Sequence, residues 1–268
     1  PVTSPNRFYQ VPHCTGMGHP LPKSLAAMRE AKAEGGWGVV CTEYCSIHPS
    51  SDDAPFPYAA LWDEEDVRGQ ALMTEAVHRH GSLAGVELWY GGMSTANRFS
   101  REVSLSTQSL PVWHPDPGQT HAMDKADIRN FKQWHVDAAR RAKQAGFDIV
   151  YVYVAHGYLP AQFLSRRYNN RTDEYGGSLE NRARLMRELI EETKEAVGDS
   201  CGVAVRLAVD DLTGEYGITK ENEGRDVIEM MAELPDLWDV NIADWSNDAQ
   251  TSRFVEEGAQ ESYIDFVK

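Results

Sequence analysis

The sequence predicts an α/β protein of the (β/α)8 TIM-barrel class, with about six βα units in 268 residues. Three observations carry that prediction. Short, nearly continuous apolar runs alternate with longer amphipathic stretches along the chain. The amphipathic stretches close at glycine or a short turn before the next run, as at Gly35-Gly36, Gly81 and Gly146. The first run leads into VPHCTGMG, which forms no G-x-G-x-x-G turn of the kind a doubly wound sheet places there. The barrel is therefore preferred to the open sheet. Strands seven and eight are expected beyond Lys268, and residues 1–268 read as one domain.

The elements follow in order. Strand one is expected at 8–13, an aromatic and apolar run ending in His13-Cys14. A helix at 23–34 leads to strand two at 38–45, and a helix at 66–80 leads to strand three at 83–89. The irregular segment 97–124 is too long for an ordinary connection and reads as a functional loop over the barrel mouth. A helix at 125–145 precedes strand four at 148–155. The clearest helix is 178–197, where Leu179, Ala183, Met186, Leu189, Ile190 and Val197 form one stripe between an N-capping Ser178 and Gly198. Strand five at 202–209, a helix at 220–234 and strand six at 238–243 complete the pattern, and the chain stops in an amphipathic stretch at 263–268. A chain with six of eight strands leaves two sheet edges open and is expected to fold poorly alone.

Composition narrows the function. The net charge is -15, from 26 basic and 41 acidic residues, and it disfavours a nucleic-acid or anionic-membrane partner. No apolar run approaches the roughly 20 residues a spanning helix needs. Four scattered cysteines, Cys14, Cys41, Cys45 and Cys201, give no disulfide framework and fit a reducing, cytoplasmic setting.

In a barrel the chemistry sits at the C-terminal strand ends. There the sequence places His13-Cys14, Glu43-Tyr44-Cys45, Glu87 with Trp89, Tyr153 with His156, Arg206, and Trp245 with Asp248. Each has a plain structural reading as well. His156 fits a satisfied structural histidine, and Tyr44, Trp89 and Trp245 fit rim packing. Cys41 and Cys45, four apart, are expected on one strand face, as two buried thiols or a metal pair. Cys14 reads as a buried thiol or, at a strand end beside His13, as a reactive thiolate. Arg206 in a buried strand requires an acceptor partner.

The motifs then point to a family. HGYLPAQFLSRRYNNRTDEYGGSLENRARLMRE, residues 156–188, closely resembles the signature of the old yellow enzyme family of FMN-dependent (β/α)8-barrel oxidoreductases. NRFYQVPHC, with KAEGGWGVVCTEYCSIHPSSDD, GVELWYGG and GFDIVYVYVAHGYLP, resembles its amine dehydrogenase branch, the trimethylamine, dimethylamine and histamine dehydrogenases. The resemblance covers essentially the whole chain and implies covalent FMN, bonded through Cys14 sulfur to carbon 6 of the ring. It also implies ring contacts from Val11, Pro12 and His13, and cofactor contacts from Glu43, Glu87 and Arg206. Arg206 would stand by the N1/O2 edge, and Glu87 replaces the glutamine that ene-reductases turn to the flavin pyrimidine. Tyr153, His156 and Asp248 match a Tyr-His-Asp group. Ene-reductases carry His/His or His/Asn at the first two positions, so Tyr153 argues against an enone substrate. Tyr44 and Trp245 match two walls of an aromatic bowl for a substrate ammonium.

The resemblance further implies oxidative N-demethylation of a small methylated amine, most like trimethylamine. No metal site is expected within these residues. Cys41, Cys45 and Cys201 have the wrong spacing for a [4Fe–4S] cluster, which is expected, with nucleotide-binding domains, C-terminal to Lys268. Electron-transferring flavoprotein would be the electron partner and a homodimer the assembly. Two rival readings are an NAD(P)H-dependent ene-reductase or dienoyl-CoA reductase, and a non-catalytic barrel that binds quaternary amines. Because the family's FMN phosphate site lies largely on strands seven and eight, the 268-residue chain alone is expected to bind FMN poorly.

Overall fold

A computed structural model describes residues 2–52, 57–112, 118–245, 247 and 254–267. Six parallel strands form one curved sheet in the order β1 (Tyr9–Gln10), β2 (Val39–Ser46), β3 (Leu83–Trp89), β6 (Ile149–Val154), β7 (Gly202–Asp210) and β8 (Leu237–Ile242). Consecutive strands lie side by side, each returned by helices, as a βα barrel requires. The curl shows in side chains that meet across intervening strands. Tyr9 on β1 and Tyr151 on β6 share a hydrogen bond of 2.7 Å, with β2 and β3 between them. The expected βα-barrel architecture with six parallel strands is borne out.

The helices cover one face. They are α1 (Pro22–Glu34), α2 (Glu64–His78), α3 (Lys125–Gln144), α4 (Leu159–Leu164), α5 (Leu179–Arg182), α6 (Arg184–Val197), α7 (Arg225–Met231) and a short α8 (Glu261–Ile264). Asp63 caps α2, and Asp124 caps α3 through a capping box with Asp127. The outer sheet face (Val86, Leu88, Val150, Val152, Val203, Val205, Leu207) packs on Met73, Val77, Phe131, Ala138, Leu189 and Ile190 in one apolar core. No described helix is long and apolar enough to cross a membrane.

Several boundaries differ from expectation. β1 is only two residues long, because Pro12 has no N–H to continue the ladder. The helix expected over 178–197 is broken at Ala183, with α5 on one side and α6 on the other. The helix expected over 220–234 opens with a π turn, Lys220–Gly224, and ends at Met231. The segment 97–124 carries a two-stranded parallel ribbon, β4 (Leu105–Ser106) with β5 (His121–Ala122). Cys41 and Cys45 are not on one face. The β2–β3 register shifts between Cys41 and Tyr44, and this irregularity reverses the alternation. Cys41 packs inside with Tyr151 and Ala204, and Cys45 lies in the outer core, so the two form no metal pair. Gly85 is needed beside Cys41, since a Cβ there would stand 2.5 Å from its sulfur.

Candidate active site

The inner face of the sheet is stacked in layers, as barrel interiors are. Val39, Cys41, Ile149, Tyr151 and Ala204 fill the bottom. Glu87, Arg206 and Asp239 meet above them. Tyr44, Trp89, Tyr153, Tyr158 and Ala208 form an aromatic layer at the top. A cleft of about 490 Å³ opens over these layers, lined by Val11, Pro12, His13, Cys14, Tyr44, Glu87, Tyr153, His156, Arg206, Asp239, Asn241 and Trp245 among others. The structure therefore brings nine of the expected site residues into one cleft: Val11, Pro12, His13, Cys14, Tyr44, Glu87, Tyr153, His156 and Arg206, with Trp245 as a tenth. Asp248 lies outside the described residues.

The Cys14 loop is held from below and behind. Arg29, fully buried on α1, donates to Gln10 Oε1 at 3.0 Å and to the His13 carbonyl. Glu43 is buried on β2 and accepts from the N–H groups of Thr15 (2.5 Å), Gly16 (2.8 Å) and Gly18 (2.5 Å). Gly18 fits only without a side chain, because a Cβ would meet Glu43 Oε1 at 2.6 Å. Glu43, expected among the cofactor contacts, is thus spent on backbone and does not line the cleft. Its work is to hold Cys14 at the rim, half-buried.

The charged layer is compact. Arg206 donates to Asp239 Oδ2 from Nε at 2.9 Å and from Nη2 at 2.7 Å. Its Nη1 lies 3.2 Å from Glu87 Oε1 and 3.4 Å from the Pro12 carbonyl. Burial pushes the Glu87 carboxyl up to about 8, against the pull of Arg206, and Asp239 adds to the rise. Burial and the neighbouring Asp239 thus both favour the protonated form of Glu87.

Above it, Tyr153 Oη lies 2.6 Å from His156 Nδ1, and Asn241 Nδ2 lies 3.1 Å from His156 Nε2. His156 is thus held at both ring nitrogens, between the Tyr153 hydroxyl and the Asn241 amide. Burial drives the Tyr153 phenol far above its ordinary range, so it stays protonated. His156 takes a left-handed φ of 53°, a conformation that histidine tolerates better than most residues. Trp245 is 49% exposed, donates from its indole N–H to Tyr158, and stands 6.0 Å from the His156 ring. Tyr44 is 6% exposed and stacks on Trp89 at 4.7 Å.

Two buried polar atoms in the cleft wall, Glu87 Oε1 and Asn241 Oδ1, have no hydrogen-bond partner. A neutral Glu87 offers one donor and one acceptor, the complement of an imide or amide edge such as a flavin pyrimidine presents. The residues fit that group. Sequence reasoning missed Arg29, Asp239 and Asn241. Asp239 and Asn241 alternate on β8, a pattern that marked them as sharing a face, but the strand's partner charges are visible only in the fold.

Comparison with known proteins agrees with this geometry. Residues 1–268 match the NADH:flavin oxidoreductase / NADH oxidase family. The chain is 44% identical over 272 aligned residues to a dimethylamine dehydrogenase of Hyphomicrobium sp. (strain x), covering 98% of this chain and 37% of that protein. It superposes on a 6-hydroxypseudooxynicotine amine oxidase from Pseudomonas geniculata N1 with a TM-score of 0.96 at 49% identity, covering 100% of this chain and 40% of the other. It superposes on a histamine dehydrogenase from Rhizobium sp. 4-9 with a TM-score of 0.94 at 47% identity, covering 98% and 39%. The chain thus spans well under half the length of these relatives. The expected barrel and its resemblance to the amine dehydrogenase branch are borne out. With its six-stranded βα barrel, its polar inner layers and its match from end to end, this chain belongs to the NADH:flavin oxidoreductase / NADH oxidase family.

Proposed function

We propose that this chain is the FMN-binding barrel of an amine dehydrogenase that oxidises a small methylated amine. The observation that carries the reading is one cleft in which a half-buried thiol, a floor of Arg206, Asp239 and Glu87, and a Tyr-His pair converge. When bound, FMN would supply the two-electron acceptor for cleavage of a substrate C–H bond beside nitrogen. Cys14 would anchor it through sulfur, and Arg29 and Glu43 hold the loop that presents this thiol. Val11, Pro12 and His13 would contact the ring from β1, and Glu87 and Arg206 would meet its polar edge.

The substrate's nitrogen must react as the free base. Tyr153 and His156 hold a proton 2.6 Å apart at the cleft wall, where they would fix the amine's protonation and orientation. Trp245 and Tyr44 supply aromatic surface for the amine's positive form on entry. Water would hydrolyse the resulting iminium to the smaller amine and an aldehyde. Asp248, outside the described residues, is the third member of the group that the resemblance implies. An iron–sulfur cluster, electron-transferring flavoprotein as acceptor and a homodimeric assembly complete the reading, and a cytoplasmic setting fits four scattered cysteines. Among the described residues no group of His, Cys, Asp and Glu has metal-binding geometry, so the cluster is assigned outside them.

Anaerobic titration of the purified holoprotein tests this. Trimethylamine, dimethylamine or histamine should bleach the yellow absorbance, and NADPH should not. Bleaching by NADPH and by no amine would replace the reading with the ene-reductase.

A further inference from the structure

The inner layer holds one buried carboxyl group, one half-buried carboxyl group and one guanidinium, and their distances are unequal. Asp239 Oδ2 takes both Nε and Nη2 of Arg206, at 2.9 and 2.7 Å. Glu87 meets Nη1 alone, at 3.2 and 3.5 Å, and Nη1 also faces the Pro12 carbonyl. Glu87 Oε1, despite this proximity, has no hydrogen bond of good geometry. One cation cannot neutralise two carboxylates in a dry layer, so one of them keeps its proton. The side chain of Glu87 is 2% exposed and that of Asp239 is 13%, so Asp239 is the better paired and better hydrated of the two.

We propose that Asp239 is a positioning residue of this site: it claims Arg206 as its ion-pair partner and so leaves Glu87 as a neutral carboxylic acid facing the cleft. Two consequences follow. Arg206 is clamped in one orientation, with Nη1 turned to β1 and the cleft. Glu87 keeps an O–H that donates to a carbonyl-type acceptor, so its substitution by glutamine preserves the hydrogen-bonding pattern and its ionisation destroys it. The upward shift of Glu87 agrees with this division of charge. Its other titratable neighbours do not compete for the role. Tyr153 on β6 and Cys41 and Cys45 on β2 are all raised by burial and remain neutral.

The role toward a flavin rests on the proposed function, but the division of charge does not, and infrared spectroscopy separates the two. The purified protein is titrated with and without bound flavin, with no amine present, and the protonated-carboxyl C=O stretch is followed. Wild type should show a band at pH 6.5 that is lost near pH 8 and is absent from Glu87→Gln. In Asp239→Asn, and in Asp239→Ser if Asn does not fold, Arg206 falls to Glu87, and the loss should move down by at least one pH unit. A wild-type spectrum identical to that of Glu87→Gln at pH 6.5 overturns the proposal. So does an unmoved titration in the Asp239 variants. Bleaching by NADPH alone, with the band behaving as stated, would overturn only the amine reading.

Discussion

The two faces of the same sheet are built to different rules. The outer face is valine, isoleucine and leucine against helix, and it holds the largest apolar cluster in the molecule. The inner face alternates with it residue by residue, yet carries Arg206, Asp239, Glu87, Tyr151, Tyr153 and Asn241. Each strand thus presents a stabilising side and a chemical side, separated by one backbone. The outer face gains from area removed from water, about 25 cal/mol per Å². The inner face gains little from its ions, whose desolvation offsets their attraction. Arg206 is matched across the barrel by Asp239 and Glu87, whereas Glu87 Oε1 and Asn241 Oδ1 are left open toward the cleft.

The largest expected effect separates the faces outright. Phe131→Ala on α3 empties a fully buried outer position and should cost about 3–5 kcal/mol in denaturant unfolding, while flavin retained per folded molecule stays unchanged. A loss of flavin in the folded fraction would show that the faces are not independent. Tyr153→Phe is the inverse case. It should leave stability within about 1 kcal/mol and lower amine-dependent bleaching by roughly 100-fold, about 2.7 kcal/mol in the barrier. Equal bleaching rates would remove Tyr153 from the proton inventory.

The pH dependence sharpens the comparison, because the faces titrate in opposite senses. His135, buried between α3 and α6, is lowered from 6.5 to about 4 by burial. The unfolded chain takes up that proton first, so its contribution is lost as pH falls from 6.5 through 4. Glu87 is raised from 4.5 to about 8, so the folded state holds the extra proton. Its contribution is complete below 4.5 and is lost as pH rises through 8. Each arm is worth at most about 1.4 kcal/mol per pH unit. Unfolding free energy measured across pH 4–9 should lose its acid arm in His135→Gln and its alkaline arm in Glu87→Gln. The smallest effect is at a helix end. Asp124→Ala removes the capping box of α3 and should cost about 1 kcal/mol, with no change at the cleft.

The outer face was the legible one. Near-continuous apolar runs located all six strands, and the glycine stops located the helix ends, because burial against helices imposes composition directly. Site residues at strand ends were legible for the same geometric reason, since the barrel gathers those ends at one mouth. The register shift between Cys41 and Tyr44 had no local signal, and it overturned the expectation that Cys41 and Cys45 share a face. Glu43, expected among the cofactor contacts from the resemblance, accepts hydrogen bonds from the Thr15–Gly18 backbone, a role that only the fold makes visible. Asp239 and Arg29 escaped notice because their meaning lies in partners 33 and 19 residues away. The break at Ala183 and the π turn at Lys220–Gly224 depend on tertiary packing, which pattern reasoning does not reach.

The central claim is that the inner face presents Cys14 to a flavin, and one measurement addresses it directly. The purified holoprotein is denatured and precipitated in acid, digested, and the yellow peptide is sequenced. The account predicts that flavin stays with the peptide bearing Cys14, and that Cys14→Ala releases all of it to the supernatant. Free flavin released from the unaltered protein, with the Cys14 thiol open to alkylation, would contradict it.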